Sequence, residues 1–292
     1  MSICTLCPRK CGVDRTLGET GFCGAGAAPV LARAAAHFGE EPCISGNRGS
    51  GTVFFSGCNL RCVFCQNSEI SRGNAGREIS ATRLAEIFAE LEELGVHNIN
   101  LVTATHFADS VVAALRLAKL KTPVIWNSSG YETRETLEML APYVRVFMPD
   151  LKYSLPKNSE HFSAAPNYPE IAQAAIEHMF RLAGKCVFDD EGILQQGVLI
   201  RHLILPGGLE DAFDVIHFVS KFPKGEVLFS LMSQFTPLAD KEKYPELSRK
   251  ISVSEHERAQ NYLIKSGIET GYTQALESAT SAMMPRFDLS GV

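Results

Sequence analysis

Cys58, Cys62 and Cys65 stand at C-x3-C-x2-C spacing, directly after the apolar run 51–55. Three thiolates gathered by so short a loop can hold three irons of a cubane [4Fe-4S] cluster and leave the fourth iron without a protein ligand. An open iron can take a small molecule, whereas a fully ligated cluster mainly shuttles electrons. A zinc knuckle or a set of inert buried thiols is the alternative use of the same residues.

A second group comprises Cys4, Cys7 and Cys11, with Cys23 following after Gly18, Gly21 and Phe22. Pro8 and the glycines make tight turns that can aim several thiolates at one centre. Four sulfurs suit tetrahedral zinc or a fully ligated iron–sulfur cluster, and composition does not choose between them. The segment is too short for a sizeable core of its own, so a metal would supply folding energy. A turn-rich cap with reduced thiols is the other reading. Cys43, after Pro42, reads first as a small buried apolar residue.

These residues must be positioned by the rest of the 292-residue chain, long enough for one large α/β domain and a small appendage. At 45% apolar and 21% charged residues the chain is globular in type, and a net charge of -5 gives no electrostatic case for a nucleic-acid partner. No run of 18 apolar residues predicts a membrane span, and the N-terminus lacks a signal-peptide pattern. Nine cysteines, an odd number in short-spaced groups, favour thiolates in a reducing cytoplasm over disulfides.

After Cys65, short apolar strands alternate with amphipathic helices. The expected strands are 99–102, 124–127, 144–148, 198–203 and 227–231, joining 51–55. The expected helices are 79–94, with Leu84, Ile87, Phe88, Leu91 and Leu94 on one stripe, then 110–120, 134–140, 169–182 and 211–219. Ser254 and Glu257 predict a capping box for a last helix through Ile264. Segments 154–168 and 236–251 read as irregular lids, and the chain beyond Met283 as loosely ordered. The alternation predicts parallel strands with helical crossovers, an α/β fold of about six units. A doubly wound open sheet is compatible with the same periodicity.

The cysteine motif, with Phe64 before its last member, resembles the radical S-adenosylmethionine (SAM) superfamily. Further motifs narrow the resemblance: Cys4-x2-Cys7-Pro8-Arg9-x-Cys11, Glu41-Pro42 with Ile44-Ser45-Gly46, Gly57-Cys58-Asn59-Leu60, Cys65-Gln66-Asn67 and Asp150-Leu151-Lys152. Together they are similar to pyruvate formate-lyase activating enzyme-like proteins, in the branch with an added N-terminal cysteine group. The resemblance implies a partial (β/α)6 TIM-like barrel over 51–292 behind a cysteine-rich cap at 1–50. It implies a cytoplasmic oxidoreductase that reductively cleaves SAM to a 5'-deoxyadenosyl radical, with electrons from a donor such as flavodoxin or ferredoxin. Hydrogen abstraction from a glycine of a glycyl radical enzyme is the implied reaction. Radical modification of another peptide or small molecule is the alternative, and a non-catalytic iron–sulfur electron carrier a third.

Active-site groups of such a barrel gather at the carboxyl ends of its strands. His106 follows the second strand, where Thr103-Ala104-Thr105-His106 stands in place of the family's common Gly-Gly-Glu run; it is a candidate cofactor contact or a capping histidine. Asn127 and Ser129 end the third strand and suit a ribose or a carboxylate. Asp150 and Lys152 lie two apart, so an extended segment points both the same way, towards methionine's charged groups. Arg201, inside an apolar strand, needs a partner, and a SAM carboxylate is one. His202 is a further candidate, although strand alternation keeps both from facing one cofactor. Gln234 ends the sixth strand and is a candidate adenine or substrate contact.

Overall fold

The computed structural model describes residues 3–73, 75–278 and 285–292. In chain order the elements are β1 (Val30–His37), α1 (Pro42–Ser45), β2 (Ser50–Phe55), α2 (Ser68–Gly73), β3 (Arg77–Glu78), α3 (Ala81–Glu93), β4 (Ile99–Val102), α4 (Ala108–Ala118) and β5 (Val124–Ser128). They continue with α5 (Arg134–Leu140), β6 (Val146–Pro149), α6 (Pro156–Ser163), α7 (Tyr168–Ala183), β7 (Val187–Phe188), β8 (Leu194–Leu203), α8 (Leu209–Val219), β9 (Leu228–Met232), α9 (Val253–Ser266) and β10 (Gly271–Thr273). The sheet runs β10-β9-β8-β6-β5-β4-β2-β1-β3. Its pairs from β2 through β4, β5, β6, β8 and β9 to β10 are parallel, while β1 lies antiparallel to β2 and β3. This is an α/β fold with a mixed sheet, consistent with a partial (β/α) barrel.

Alternation along the strands explains the layering. Val53, Phe55, Leu101, Trp126, Phe147, Ile200 and Phe229 point one way and share a core with Leu84, Phe88, Val111, Leu137, Ile176, Met179 and Ile216 of the helices. The opposite parity, Ile125, Val146, Met148, Leu199 and Leu228, packs with Cys43 and Ile44 of α1 at the base of the inner face. Cys43 is thus a small buried core residue, 2% exposed. Parallel strands with helices on one face keep the other free for a site at the strand ends. Among the described residues, no helix is long and apolar enough to cross a membrane.

The structure corrects several expectations. Leu94, placed on the buried stripe of α3, is 72% exposed, because the helix ends at Glu93 and Leu94 is its C-cap. The capping box of α9 uses Ser252 and Glu255: Ser252 Oγ accepts the Glu255 N–H at 3.2 Å and the Glu255 carboxylate accepts the Ser252 N–H at 2.7 Å. Ser254 lies inside the helix. Residues 156–163 form α6, a helix whose sequence carries too little apolar periodicity to announce it. Of the expected loose tail, Met283 and Met284 lie outside the described residues, but 285–292 run along β1. Ala34 N–H donates to the Ser290 carbonyl at 2.8 Å and Leu289 N–H to Ala32 at 3.0 Å. Because β3 covers only the first residues of β1, the tail satisfies edge groups left bare. The approach admits only glycine at 291, where a Cβ would lie 2.0 Å from the Ala34 carbonyl oxygen.

Candidate active site

The cysteine loop leaves the carboxyl end of β2 and turns at Gly57, whose φ of 84° suits glycine. The C-terminal end of α6 holds it in place: Val63 N–H donates to the Phe162 carbonyl at 2.9 Å and Arg61 N–H to Ser163 at 3.3 Å. Each sulfur accepts one hydrogen bond, Cys58 from the Leu60 N–H (3.4 Å), Cys62 from the Ser163 hydroxyl (3.0 Å) and Cys65 from the Ser71 hydroxyl (3.5 Å). Burial, then the neighbouring thiol of Cys62, pushes the Cys58 thiol far above its ordinary value; burial likewise raises that of Cys62, against the pull of Lys152. Cys58 and Cys62 are therefore thiols in the absence of a metal, and a metal-bearing group that took them as thiolates would have to displace their protons.

All three line one cavity of about 250 Å³. Its wall contains Asn127, Ser129, Asp150, Lys152, Arg201 and Gln234, with Phe54, Val102, Leu203 and Met232 between them. Asn127, Asp150, Arg201 and Met232 share the inner parity of their strands, which is why separate segments deliver them to one place. Lys152 Nζ donates to Asp150 at 2.5 Å. Burial opposes the Lys152 charge, yet Asp150 and Cys62 outweigh it and hold the ammonium above its usual range. Ser129 Oγ is buried without a protein partner. Gln234 accepts from Gln274 at 3.2 Å.

Arg201 already has protein partners. Its guanidinium donates to Glu41 Oε1 at 3.0 Å and also bonds Glu40 and Glu41 through Nη2. Burial opposes the charge of Glu41, but Arg201 overcomes it and keeps the carboxyl below its usual range. His106 and His202 are not among the cavity-lining residues. His106 Nε2 bonds the Ser56 carbonyl at 2.7 Å beneath the cysteine loop, and burial lowers its pKa to about 4. His202, of opposite parity to Arg201, bonds the Leu151 carbonyl through Nδ1 at 2.7 Å.

Several supporting residues carry no sequence motif. Buried Tyr168 shares its hydroxyl between the carbonyls of Ser129 (2.7 Å) and Asp150 (2.8 Å) and accepts the Lys152 N–H (2.9 Å), tying two strand ends together. Phe235, buried, faces the motif's Phe64 at 6.0 Å between centroids. A larger depression, about 480 Å³, lies beside Lys10, Arg134 and His178 and includes none of the three loop cysteines.

Among the described residues, no group of three or more His, Cys, Asp or Glu side chains is arranged to hold a metal ion. A tetrahedral zinc site brings its sulfurs within roughly 4 Å of one another, given Zn–S bonds of about 2.3 Å. A cubane carries its own sulfides and spreads its thiolates more widely. Three loop thiols around one cavity, with a buried unpartnered hydroxyl in its wall, fit the larger group and a polar ligand beside it.

Parts of the chain are similar to known proteins. The model of the Radical SAM superfamily matches residues 52–189. An uncharacterized protein of Methanocaldococcus jannaschii is 29% identical over 265 residues, covering 88% of this chain and 72% of that protein. A solved domain of a pyruvate-formate lyase-activating enzyme from Bacteroides vulgatus covers 67% of this chain and 91% of its own at 14% identity, with a TM-score of 0.39. Streptococcus suis SuiB is 17% identical over 76% of this chain and 48% of its own, with a TM-score of 0.48.

Proposed function

We propose that this chain, whose residues 52–189 match the model of the Radical SAM superfamily, belongs to that superfamily, holds a [4Fe-4S] cluster on Cys58, Cys62 and Cys65 and cleaves SAM reductively. The observation that carries this reading is the meeting of three thiols with Asn127, Ser129, Asp150 and Lys152 on one cavity. When bound and reduced, the cluster supplies the one electron that breaks the sulfonium C–S bond, giving methionine and a 5'-deoxyadenosyl radical that takes a hydrogen atom from the substrate.

The chain's own groups bind and orient. Lys152 offers an ammonium to the methionine carboxylate, and Asp150 a carboxylate to the amino group, each exchanging part of its present pairing. Ser129 Oγ and the Asn127 amide supply short polar contacts to the ribose or carboxylate. Tyr168 fixes the backbone from which Ser129 and Asp150 project. Arg201 is committed to Glu40 and Glu41, so its part is to set the charged wall and not to grip the cofactor directly. Phe64, backed by Phe235, gives the cavity an apolar side that keeps water from a reactive radical.

The substrate we assign is a protein or peptide, with the Cα–H of a partner enzyme's glycine as the leading target and a flavodoxin- or ferredoxin-type protein as the electron donor. A different peptide or small molecule is the second reading, favoured by Thr103-Ala104-Thr105-His106 where activases commonly carry Gly-Gly-Glu. Anaerobic mixing with a candidate glycyl radical enzyme, SAM and reductant tests the first: a glycyl doublet in the partner's electron paramagnetic resonance spectrum is expected. Production of 5'-deoxyadenosine with no glycyl signal from any such partner would turn the assignment to the second.

A further inference from the structure

The charges along the cavity wall do not balance. Asp150 and Lys152 pair with each other. Arg201, by contrast, meets two carboxylates: Nε donates to Glu41 Oε1 at 3.0 Å, and Nη2 bonds both Glu40 and Glu41. One negative charge is left over among side chains that are 11% (Arg201), 11% (Glu40) and 8% (Glu41) exposed. His37 lines the same cavity but, among the described residues, makes no ion pair with either glutamate. The N-terminal thiols stand outside this balance: Cys4, Cys7, Cys11 and Cys23 are not among the cavity-lining residues. Cys7 and Cys23 are buried elsewhere, Cys4 is half-buried and Cys11 exposed. A surplus charge held away from water is costly, so a counter-charge belongs beside it.

Glu40 is the carboxylate a ligand can reach, for it lines the cavity and Glu41 does not. Its Oε1 accepts from Asn100 Nδ2 at 3.0 Å and its Oε2 from Arg201, so each oxygen keeps a further lone pair. Asn100 is fully buried, and its Oδ1 has no hydrogen-bond partner. It stands two residues before the cavity-lining Val102, on the same face of β4. Spare lone pairs on Glu40 and an orphaned amide oxygen beside it are all acceptors. The missing group is therefore a donor, and the surplus negative charge makes it a cation.

Topology separates this place from the cradle proposed for SAM. β1 runs antiparallel to β2, and His37 at its end pairs with Ser50 at the amino end of β2. Glu40 follows directly, so it enters the cavity from the base of the sheet, whereas the cysteine loop, Asp150 and Lys152 follow the carboxyl ends of β2 and β6. We infer that the substrate of the proposed radical reaction carries a cationic group, an ammonium or a guanidinium, and that Glu40, backed by Asn100, selects it. This rests on the SAM-cleaving reading and adds the substrate's charge to it. A peptide target would bring a lysine or arginine side chain, or a free amino end, close to the carbon that loses its hydrogen.

The probe is n-butylammonium, compared with n-butanol and butyrate. Each is titrated calorimetrically, at low ionic strength, into the full chain reconstituted anaerobically and loaded with SAM, as wild type and as Glu40→Gln. The wild type should bind the ammonium about tenfold or more tighter than the alcohol, the worth of a charged hydrogen bond, and Glu40→Gln should erase that preference. Equal binding of ammonium and alcohol, or a preference that survives in Glu40→Gln, overturns the inference. So does a preference for butyrate, which Arg201 would receive through Nη1, the nitrogen it does not spend on the glutamates. A preference seen only before SAM is added gives the place to SAM itself and likewise overturns it. Labelled SAM retained by the same samples reports the underlying reading separately. SAM bound without an ammonium preference overturns this inference alone; an ammonium preference that Glu40→Gln erases, with no SAM bound, leaves Glu40 its role and removes the SAM site. Should Glu40→Gln not fold, a crystal structure of the wild type with n-butylammonium decides: nitrogen within about 3.2 Å of a Glu40 carboxylate oxygen upholds the selection, and nitrogen elsewhere or none overturns it.

Discussion

Lys152 and Asp150 hold each other at 2.5 Å in the wall where a charged cofactor would meet them. Side chains 22% and 25% exposed are poorly screened, so the loss of either leaves its partner exposed to a costly local environment. Lys152→Met and Asp150→Asn should each weaken SAM binding about tenfold or more while leaving iron content at its wild-type level, from a charged hydrogen bond worth ~1.5–3 kcal/mol. Equilibrium dialysis with labelled SAM, beside iron analysis, reads both; equal SAM affinity in the two variants and the wild type would reject the cradle. Glu132 gives a second prediction. Burial pushes its carboxyl up to about 7, although Thr105, Ser128 and Trp126 bond it. The folded chain therefore keeps this proton to higher pH than the unfolded chain, so its stabilising contribution is full below about pH 4.5 and is lost as pH rises through about 7. Relative to Glu132→Gln, the wild type should lose on the order of 3 kcal/mol between about pH 4.5 and 8, measured by urea unfolding; parallel pH curves would refute it. At this scale the sequence shows Asp150, Lys152 and the opposed parity of Arg201 and His202, because period-two alternation is local. It does not show that Arg201 is satisfied by Glu40 and Glu41, some 160 residues away, nor that Tyr168 braces two strand ends, because those contacts are products of tertiary closure.

Elements carry the site by ending where they do. The parallel strands were legible from apolar runs, and 99–102 and the helix 134–140 have the expected bounds. The helix α6 was not, since its buried residues are Ser159, Phe162 and Ser163, and a single large apolar side chain makes no helical stripe. Yet α6 supplies the Ser163 hydroxyl to Cys62 and two carbonyls to the cysteine loop. The box on α9 was legible as a type but shifted by two residues, because two serines stand near enough to compete and only Ser252 has extended backbone with Glu255 in reach. Glu255 also accepts the Gly207 N–H at 2.7 Å, coupling α9 to the turn after β8. Ser252→Ala should cost about 1 kcal/mol of stability in chemical denaturation, with SAM cleavage retained. A change below about 0.2 kcal/mol would show that the Arg249 pairing and the backbone N–H groups of Gly207 and Ser252 hold Glu255 in place without the Ser252 hydroxyl.

At the scale of the whole molecule, the N-terminal turns, the cysteine loop and α6 form one contact system stitched by Arg9. Arg9→Ala removes its donations to Asn59 and Ala164 and its stacking on Phe22, and should lower unfolding stability by about 1–3 kcal/mol; an unchanged urea midpoint would show the segment is held without it. The α/β class follows from strand–helix alternation, but the pairing of β1 with β2 and of the tail 285–292 with β1 depends on edges that only the assembled sheet exposes. The central claim is that three loop thiols and the polar cavity beside them constitute one SAM-cleaving site. Its most direct test is chromatographic measurement of 5'-deoxyadenosine formed from SAM by the anaerobically reconstituted chain under reduction, beside the Cys58→Ala/Cys62→Ala/Cys65→Ala variant. Steady formation by the wild type, and none above the protein-free background by the variant, is the expected result. Equal formation by both, or none by a wild type that has taken up its iron, would contradict it.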